Sequence, residues 1–253
     1  ARRIGVRGAA LSFIDVCLLY GDTSETIYPV SRSGRFMEVK PSPETPLPEV
    51  SPRWRHACAH IDNAAELREI LIGAAGEFGD FSTAELGAVI DGQDFTGDAV
   101  AELEASLRAA EGTGPLTPAA AVGAAFRGVF QDCVDWHKAH GPMPGFRELS
   151  RTLERVAFGP PPVTAKRLLE LIHSGVVNTH YLGTPEQLDS WREKGGVDLL
   201  IDATVAPQAT PSPFYDVPGV VEIGRMNEIS LPGHDSLNRS VHDDIPRWAE
   251  KVA

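Results

Sequence analysis

Two short segments near the N-terminus carry residue types that can hold a phosphorylated ligand. In the first, Val6-Arg7-Gly8-Ala9-Ala10-Leu11-Ser12-Phe13-Ile14-Asp15-Val16, Gly8 and Ala10 occupy the first two glycine positions of a G-x-G-x-x-G/A turn. Such a turn is tight, lets backbone approach a pyrophosphate, and aims the free N–H groups of a helix N-terminus at the anion. Alanine at the second position loosens that approach, and Phe13 at the third is bulkier than the pattern prefers, so the letters alone describe a plain strand-to-helix turn equally well. The second segment is Val30-Ser31-Arg32-Ser33-Gly34-Arg35, in which Arg32 lies 24 residues beyond Gly8. At that spacing a second strand end meets the adenosine ribose of a dinucleotide. A carboxylate there would accept from the ribose hydroxyls, whereas a Ser/Arg pair supplies a hydroxyl and a guanidinium suited to a 2′-phosphate. Gly8, Ala9, Ala10 and Leu11 are therefore the expected pyrophosphate contacts. Ser31, Arg32 and Ser33 are the expected 2′-phosphate contacts, which favours NADP over NAD.

Other groupings of reactive side chains are poorer. His56, Cys58 and His60 form H-x-C-x-H, which on a helix puts the two histidines on one face and Cys58 elsewhere. His137 and His140 stand near Asp132 and Asp135, but no C-x-x-C or H-E-x-x-H pattern supports them, so no metal is expected. Ser240, His242 and Asp243 spell a triad only as neighbours in sequence, without the G-x-S-x-G elbow that would expose a nucleophile. The four tryptophans are scattered and read as packing residues.

The elements that must position the phosphate residues follow from periodicity and breaks. A strand from Arg3 to Val6, an apolar helix from Ala9 to Tyr20 ended at Gly21-Asp22, and a strand at Thr26–Ser31 make one parallel βαβ unit. Pro41, Pro43, Pro46, Pro48 and Pro52 then exclude helix interior and central strand alike, so residues 37–52 read as a loop or linker. From Arg53 to about Ser174 the pattern is helical, with runs at Ala64–Glu77, Thr83–Ile90, Asp98–Glu111, Pro118–His140, Phe146–Ala157 and Thr164–His173. Beyond Gly175 strand patterning returns at 176–182, 197–205 and 220–223. A short helix is expected at 185–193 and a closing helix from about Ser236 to Val252.

The expected fold class is α/β, a Rossmann-like parallel-sheet nucleotide-binding core with a large all-helical insertion. Residues 1–52 would carry the first part of the NAD(P)-binding unit and its Pro-rich linker, 53–174 the insertion, and 175–253 the return to the α/β core with a C-terminal helix.

The 253 residues hold 23 Lys and Arg against 35 Asp and Glu, a formal net charge of −12, which excludes a generic nucleic-acid binder. The first 55 residues are net +2, so the acidic excess falls on the remainder. No apolar run approaches the roughly 18 residues of a membrane span, and no signal-peptide layout opens the chain, so a cytoplasmic protein without a membrane partner is expected. Three widely spaced cysteines, Cys17, Cys58 and Cys133, argue against a disulfide framework.

The segments Gly8-Ala9-Ala10-Leu11-Ser12 with Ile14-Asp15-Val16, and Ser31-Arg32-Ser33-Gly34, resemble the two-dinucleotide-domain flavoproteins of the FAD/NAD(P)-binding protein family. Leu199-Leu200-Ile201-Asp202-Ala203-Thr204 is similar to the strand by which that family's chain re-enters its FAD domain. Val220-Val221-Glu222-Ile223-Gly224-Arg225 with 233–248 is similar to its closing strand and helix. The resemblance covers about residues 1–36 and 197–252 and leaves the helical block unexplained. It implies a flavin-dependent oxidoreductase, monooxygenases included, that passes hydride from NADPH to FAD in the service of a small-molecule substrate. It places Thr204, Gly224, Arg225, Asp235 and Ser236 near the flavin, Asp235 or Ser236 capping a helix whose N-terminus would stabilise a reduced flavin. The chain departs from the family in Val205, where a glycine is usual, in Arg225, where an aspartate is common, and in lacking the family's N-terminal FAD fingerprint. The FAD site is therefore expected to be partial, completed by a separate FAD-bearing chain or domain. The rival expectation is a non-catalytic nucleotide-sensing or protein-interaction module with a degenerate turn. A methyltransferase is disfavoured because Ser31-Arg32 replaces the acidic residue its ribose would need.

Overall fold

The structure, a computed structural model, describes residues 2–204 together with 246 and 248–250. Three short strands, β1 (Arg3–Arg7), β2 (Thr26–Val30) and β3 (Leu199–Asp202), form one parallel sheet in the order β2-β1-β3. Arg3 pairs with Thr26 on one side of β1, and Ile4 pairs with Leu199 on the other. The oldest part of the chain in sequence order is thus the middle of the sheet, and the strand closest to the described end lies beside it, almost two hundred residues away in sequence.

Alternation along β1 explains how both faces are covered. Ile4 and Val6 are buried with Phe13, Ile14 and Cys17 of α1 (Leu11–Tyr20), and with apolar residues of α5 (Ala99–Ala110) and α8 (Pro162–His173). Gly5 points the other way, where α9 (Gln187–Lys194) lays the ring of Trp191 on the sheet; a Cβ at Gly5 would stand 2.7 Å from that ring. Val30, Leu188 and Trp191 centre this second, smaller core, and the Tyr181 and Trp191 rings meet edge to face at 5.6 Å.

Sequence periodicity expected a strand over 176–182, but the structure reduces it to one parallel bridge between Val177 and Ile27. Ile27 donates its N–H to the Val176 carbonyl at 2.7 Å and accepts from the Asn178 N–H at 2.9 Å. The next residue of β2 facing that edge is Pro29, which has no N–H to continue the ladder. Asn178 then accepts from the His180 N–H at 3.0 Å and starts a 3-10 turn, Thr179–Tyr181. The return strand is likewise shorter than the expected 197–205, beginning at Leu199 and ending at Asp202. The expected strand at 220–223 and nearly all of the closing helix lie outside the described residues.

The remaining helices are α2 (Pro52–Cys58), α3 (Ala64–Gly76), α4 (Thr83–Ile90), α6 (Pro118–His140) and α7 (Phe146–Ala157). Their boundaries follow local chemistry: Asn63 accepts from two N–H groups of α3, Ser82 and Glu85 close a capping box on α4, and Thr117 accepts from the Ala120 N–H ahead of Pro118. The α5 cap is Asp98, which accepts from the Val100 and Ala101 N–H groups. These five helices share one apolar core built around α6, whereas α5 and α8 face the sheet, so the helical stretch of sequence serves two cores. No helix among the described residues is long and apolar enough to cross a membrane.

The Pro-rich stretch forms neither helix nor strand up to Ser51, and Pro52, expected in the linker, is instead the first residue of α2; the rest is tied down as a strap. The Val39 N–H donates to Ser106 Oγ at 2.7 Å, the Lys40 N–H to the Pro160 carbonyl and the Ser42 N–H to the Ala110 carbonyl, both at 3.0 Å.

Candidate functional site

The C-terminal ends of the three strands open on one edge of the sheet. Because β2 and β3 flank β1, and the helices that follow β1 and precede β3 cover opposite faces, this edge has the geometry at which open parallel sheets bind ligands. Gly8 stands at its centre. Its φ of +114° is a conformation that side chains disfavour, and a Cβ there would lie 2.9 Å from the Ala203 carbonyl oxygen. Its N–H donates to the Val30 carbonyl at 2.8 Å. One glycine therefore joins the ends of all three strands.

The next residues expose a helix start. Ala10 is the N-cap of α1 and provides no side-chain acceptor, and the first turn holds no carboxylate. The N–H groups of Leu11 and Ser12 have no carbonyl four residues back in the helix to receive them, and both residues are exposed. Ala9 is buried under the sheet, leaving its backbone as its contribution to the edge. Phe13, too large for the third glycine position, is turned wholly inward and stacks on Phe36 with ring centroids 6.0 Å apart. Its bulk is spent in the core and leaves the turn open.

At the end of β2 the expected phosphate residues come together, with a division of labour that the letters did not show. Ser31 Oγ accepts from the Gly34 N–H at 3.1 Å and lies 3.4 Å from the Leu182 carbonyl, so this hydroxyl builds the turn. Ser33 Oγ accepts from the Arg35 N–H at 3.4 Å. Arg32 is exposed and makes no ion pair with any described residue. Thr204, at the end of β3, donates both its N–H (3.0 Å) and its hydroxyl (2.6 Å) to Asp202 Oδ1, and Asp202 pairs with Arg7 at 3.1 Å. Those hydroxyl and amide bonds, with the nearby Arg7, hold the Asp202 carboxyl below its ordinary range. Gly224, Arg225, Asp235 and Ser236 lie outside the described residues.

Beside this edge stands a group of buried charges that sequence reading missed. Arg35 grips Asp94 with both Nη atoms, the second contact at 2.9 Å, and reaches Glu102 through Nε at 3.1 Å. Arg155 lies 3.5 Å from both Asp94 and Glu38. Burial opposes the charge on Arg35, yet the hydrogen bond and charge of Asp94, with Glu102 and Glu38, raise its pKa overall. Burial likewise opposes ionisation of Asp94, but Arg35 and Arg155 hold its carboxyl low. At Glu38 burial prevails over its Ser106 hydrogen bond and the two arginines, and pushes the carboxyl up. The bonds span residues 35 to 155, and no local spacing rule connects them.

The same clamp fixes Phe95, an exposed aromatic in the loop between α4 and α5. The Arg35 guanidinium carbon lies 5.4 Å from its ring centroid, and the ring edge would be 3.7 Å from a Cβ on Gly34. A loop of the helical stretch thus reaches the turn that carries Arg32.

The histidine groupings are used differently. The His56 and His60 rings lie 4.5 Å apart, with His60 Nδ1 against the His56 carbonyl, while Cys58 faces the core. His137 and His140 direct Nδ1 to the carbonyls of Cys133 and Trp136 at 2.8 and 2.9 Å. No group of three or more His, Cys, Asp or Glu among the described residues could hold a metal ion. No family model matches the chain, and no curated protein matches it.

Proposed function

We propose that the sheet and its helices are a Rossmann-like core that binds NADP, within a flavin-dependent oxidoreductase whose flavin site is mostly built by residues other than 2–204. The observation that carries this reading is the single sheet edge on which Gly8, the start of α1 without a side-chain cap, and the exposed Arg32 side chain, unpaired among the described residues, coincide. Backbone N–H groups of Leu11 and Ser12 bind the pyrophosphate, with Gly8, Ala9 and Ala10 giving it room. Arg32 binds the 2′-phosphate, with Ser31 and Ser33 shaping its turn. Phe95 gives the adenine a stacking surface backed by Arg35. Hydride transfer is chemistry of the nicotinamide and the flavin, and this chain's part is to bind and orient.

Fit to a dinucleotide rests on described residues; fit to a flavin rests on Gly224, Arg225, Asp235 and Ser236, outside them, and on Thr204, whose hydroxyl is already committed to Asp202. The rival, a nucleotide-sensing or protein-interaction module without catalysis, gains from one observation, the engagement of the Ser31 hydroxyl within its own turn. Calorimetric titration with NADPH and NADH separates the two: saturable binding with NADPH preferred supports the first, and absence of binding to either, in the presence and absence of FAD, removes it.

A further inference from the structure

Two of the three cysteines meet in the core of the helical layer. Cys58, at the end of α2, and Cys133, on α6, place their sulfur atoms 3.4 Å apart, although 75 residues separate them in sequence. Both side chains are fully buried among apolar residues of α3, α6 and their neighbours. Cys17, buried beneath the sheet, belongs to a different core. The Cys58 sulfur beside it, then burial, pushes the Cys133 thiol well above its ordinary range, and the two sulfur atoms lie within reach of one weak hydrogen bond.

We propose that Cys58 and Cys133 are a dithiol pair that closes to an intramolecular disulfide when a small disulfide oxidant is present. The sulfur atoms need to close by a little over an ångström to reach bonding distance, and each sits on a helix end or face that already packs against the other. Reaction begins when the seven-residue α2, at the margin of the layer, lifts and exposes Cys58. The Cys58 sulfur, as thiolate, attacks one sulfur of the oxidant R–S–S–R, forming Cys58–S–S–R and expelling RS⁻. When α2 reseats, the Cys133 sulfur loses its proton, attacks the Cys58 sulfur and expels the second RS⁻. Two thiols are oxidised by two electrons, one oxidant disulfide is reduced to two thiols, and the two protons end on the leaving groups. The product fastens the far end of the 37–52 strap to α6. Burial of both sulfur atoms makes the closed pair slow to reduce, which distinguishes it from an exposed, casually oxidised cysteine.

The test treats the full chain with a graded series of oxidised and reduced glutathione, followed by acid quench, alkylation and peptide mapping without reductant. The expected product is a single cross-linked peptide pair containing Cys58 and Cys133, a mass loss of two hydrogens, and Cys17 recovered alkylated. The thermal midpoint should rise on the order of 10 °C, since the bond closes a long loop in the unfolded chain. Cys58→Ala and Cys133→Ala should each abolish the product, and Cys17→Ala should leave it intact. Because burial slows reaction of the folded protein, the same series is repeated with chain refolded from urea into the oxidising mixture. Three free thiols after that refolding, or a statistical mixture of the three possible pairings, would overturn the proposal.

Discussion

The Ala203 carbonyl oxygen stands 2.9 Å from the point that a side chain on Gly8 would occupy, which makes two residues 195 positions apart jointly responsible for the width of the turn. Arg7 and Asp202, one residue earlier on each strand, pair across the same ladder. The glycine is therefore required twice, by its positive φ and by its neighbour.

Gly8→Ala should destabilise the protein by about 1–3 kcal/mol, the usual cost of strain at such a position. It should also weaken dinucleotide binding beyond what the loss of stability explains. Urea unfolding and titration at a temperature where the variant is folded separate the two effects.

Arg32→Ala should weaken NADPH binding by about 10- to 100-fold, as expected for loss of one charge-assisted phosphate contact, and leave NADH binding nearly unchanged. Phe95→Ala should weaken both by a similar factor, because the adenine is common to the two ligands. Equal losses for NADPH and NADH on Arg32→Ala would remove the 2′-phosphate assignment.

Arg35→Met leaves the Asp94 and Glu102 carboxylates without their main counter-charge in a site where the Arg35 side chain is 5% exposed. It should cost about 3–5 kcal/mol, the range for breaking a buried pair by removing one partner. Adding Asp94→Asn to that variant should restore part of the loss, and a double-mutant cycle followed by denaturant midpoints measures how much.

His137 is buried beside Phe146, whose ring centroid is 4.7 Å away, and burial lowers its pKa although the Cys133 carbonyl pulls the other way. The unfolded chain therefore takes up this proton at higher pH than the folded one. His137's contribution should be constant above the unfolded histidine pKa of about 6.5 and decline as pH falls below it, by at most about 1.4 kcal/mol per pH unit, until the folded form also protonates. The difference between the wild type and His137→Gln, read from urea midpoints between pH 8 and 5, isolates that slope.

Sequence by itself determined what depends on neighbours. The turn at Gly8, the helix after it and the strand that follows were legible because a glycine break and two hydrophobic periods lie within thirty residues. The Ser82 and Thr117 caps are equally local, because a cap acts on N–H groups at most three residues away. Arg32 could be singled out because its distance from Gly8 along the chain reflects one helix and one strand of ordinary length.

Tertiary structure decided everything carried by contacts between distant residues. Periodicity at 176–182 looked like a strand, but Pro29 on the neighbouring strand withholds the hydrogen bond that would have extended it, and strand length is a property of pairs. Phe13 looked like a defect in the turn until Phe36 gave it a partner in the core. Ser31 shared its expected role with Arg32 until the Gly34 N–H claimed its hydroxyl. No spacing along the chain ties Asp94, Glu102 and Arg155 to Arg35, and they form a clamp only because the loop before α5, α5 itself and α7 bring them to that residue. Cys58 and Cys133 looked like isolated thiols until two helices met. In each case the partner lies on another element, and the pairing energy exists only after the chain has folded around it.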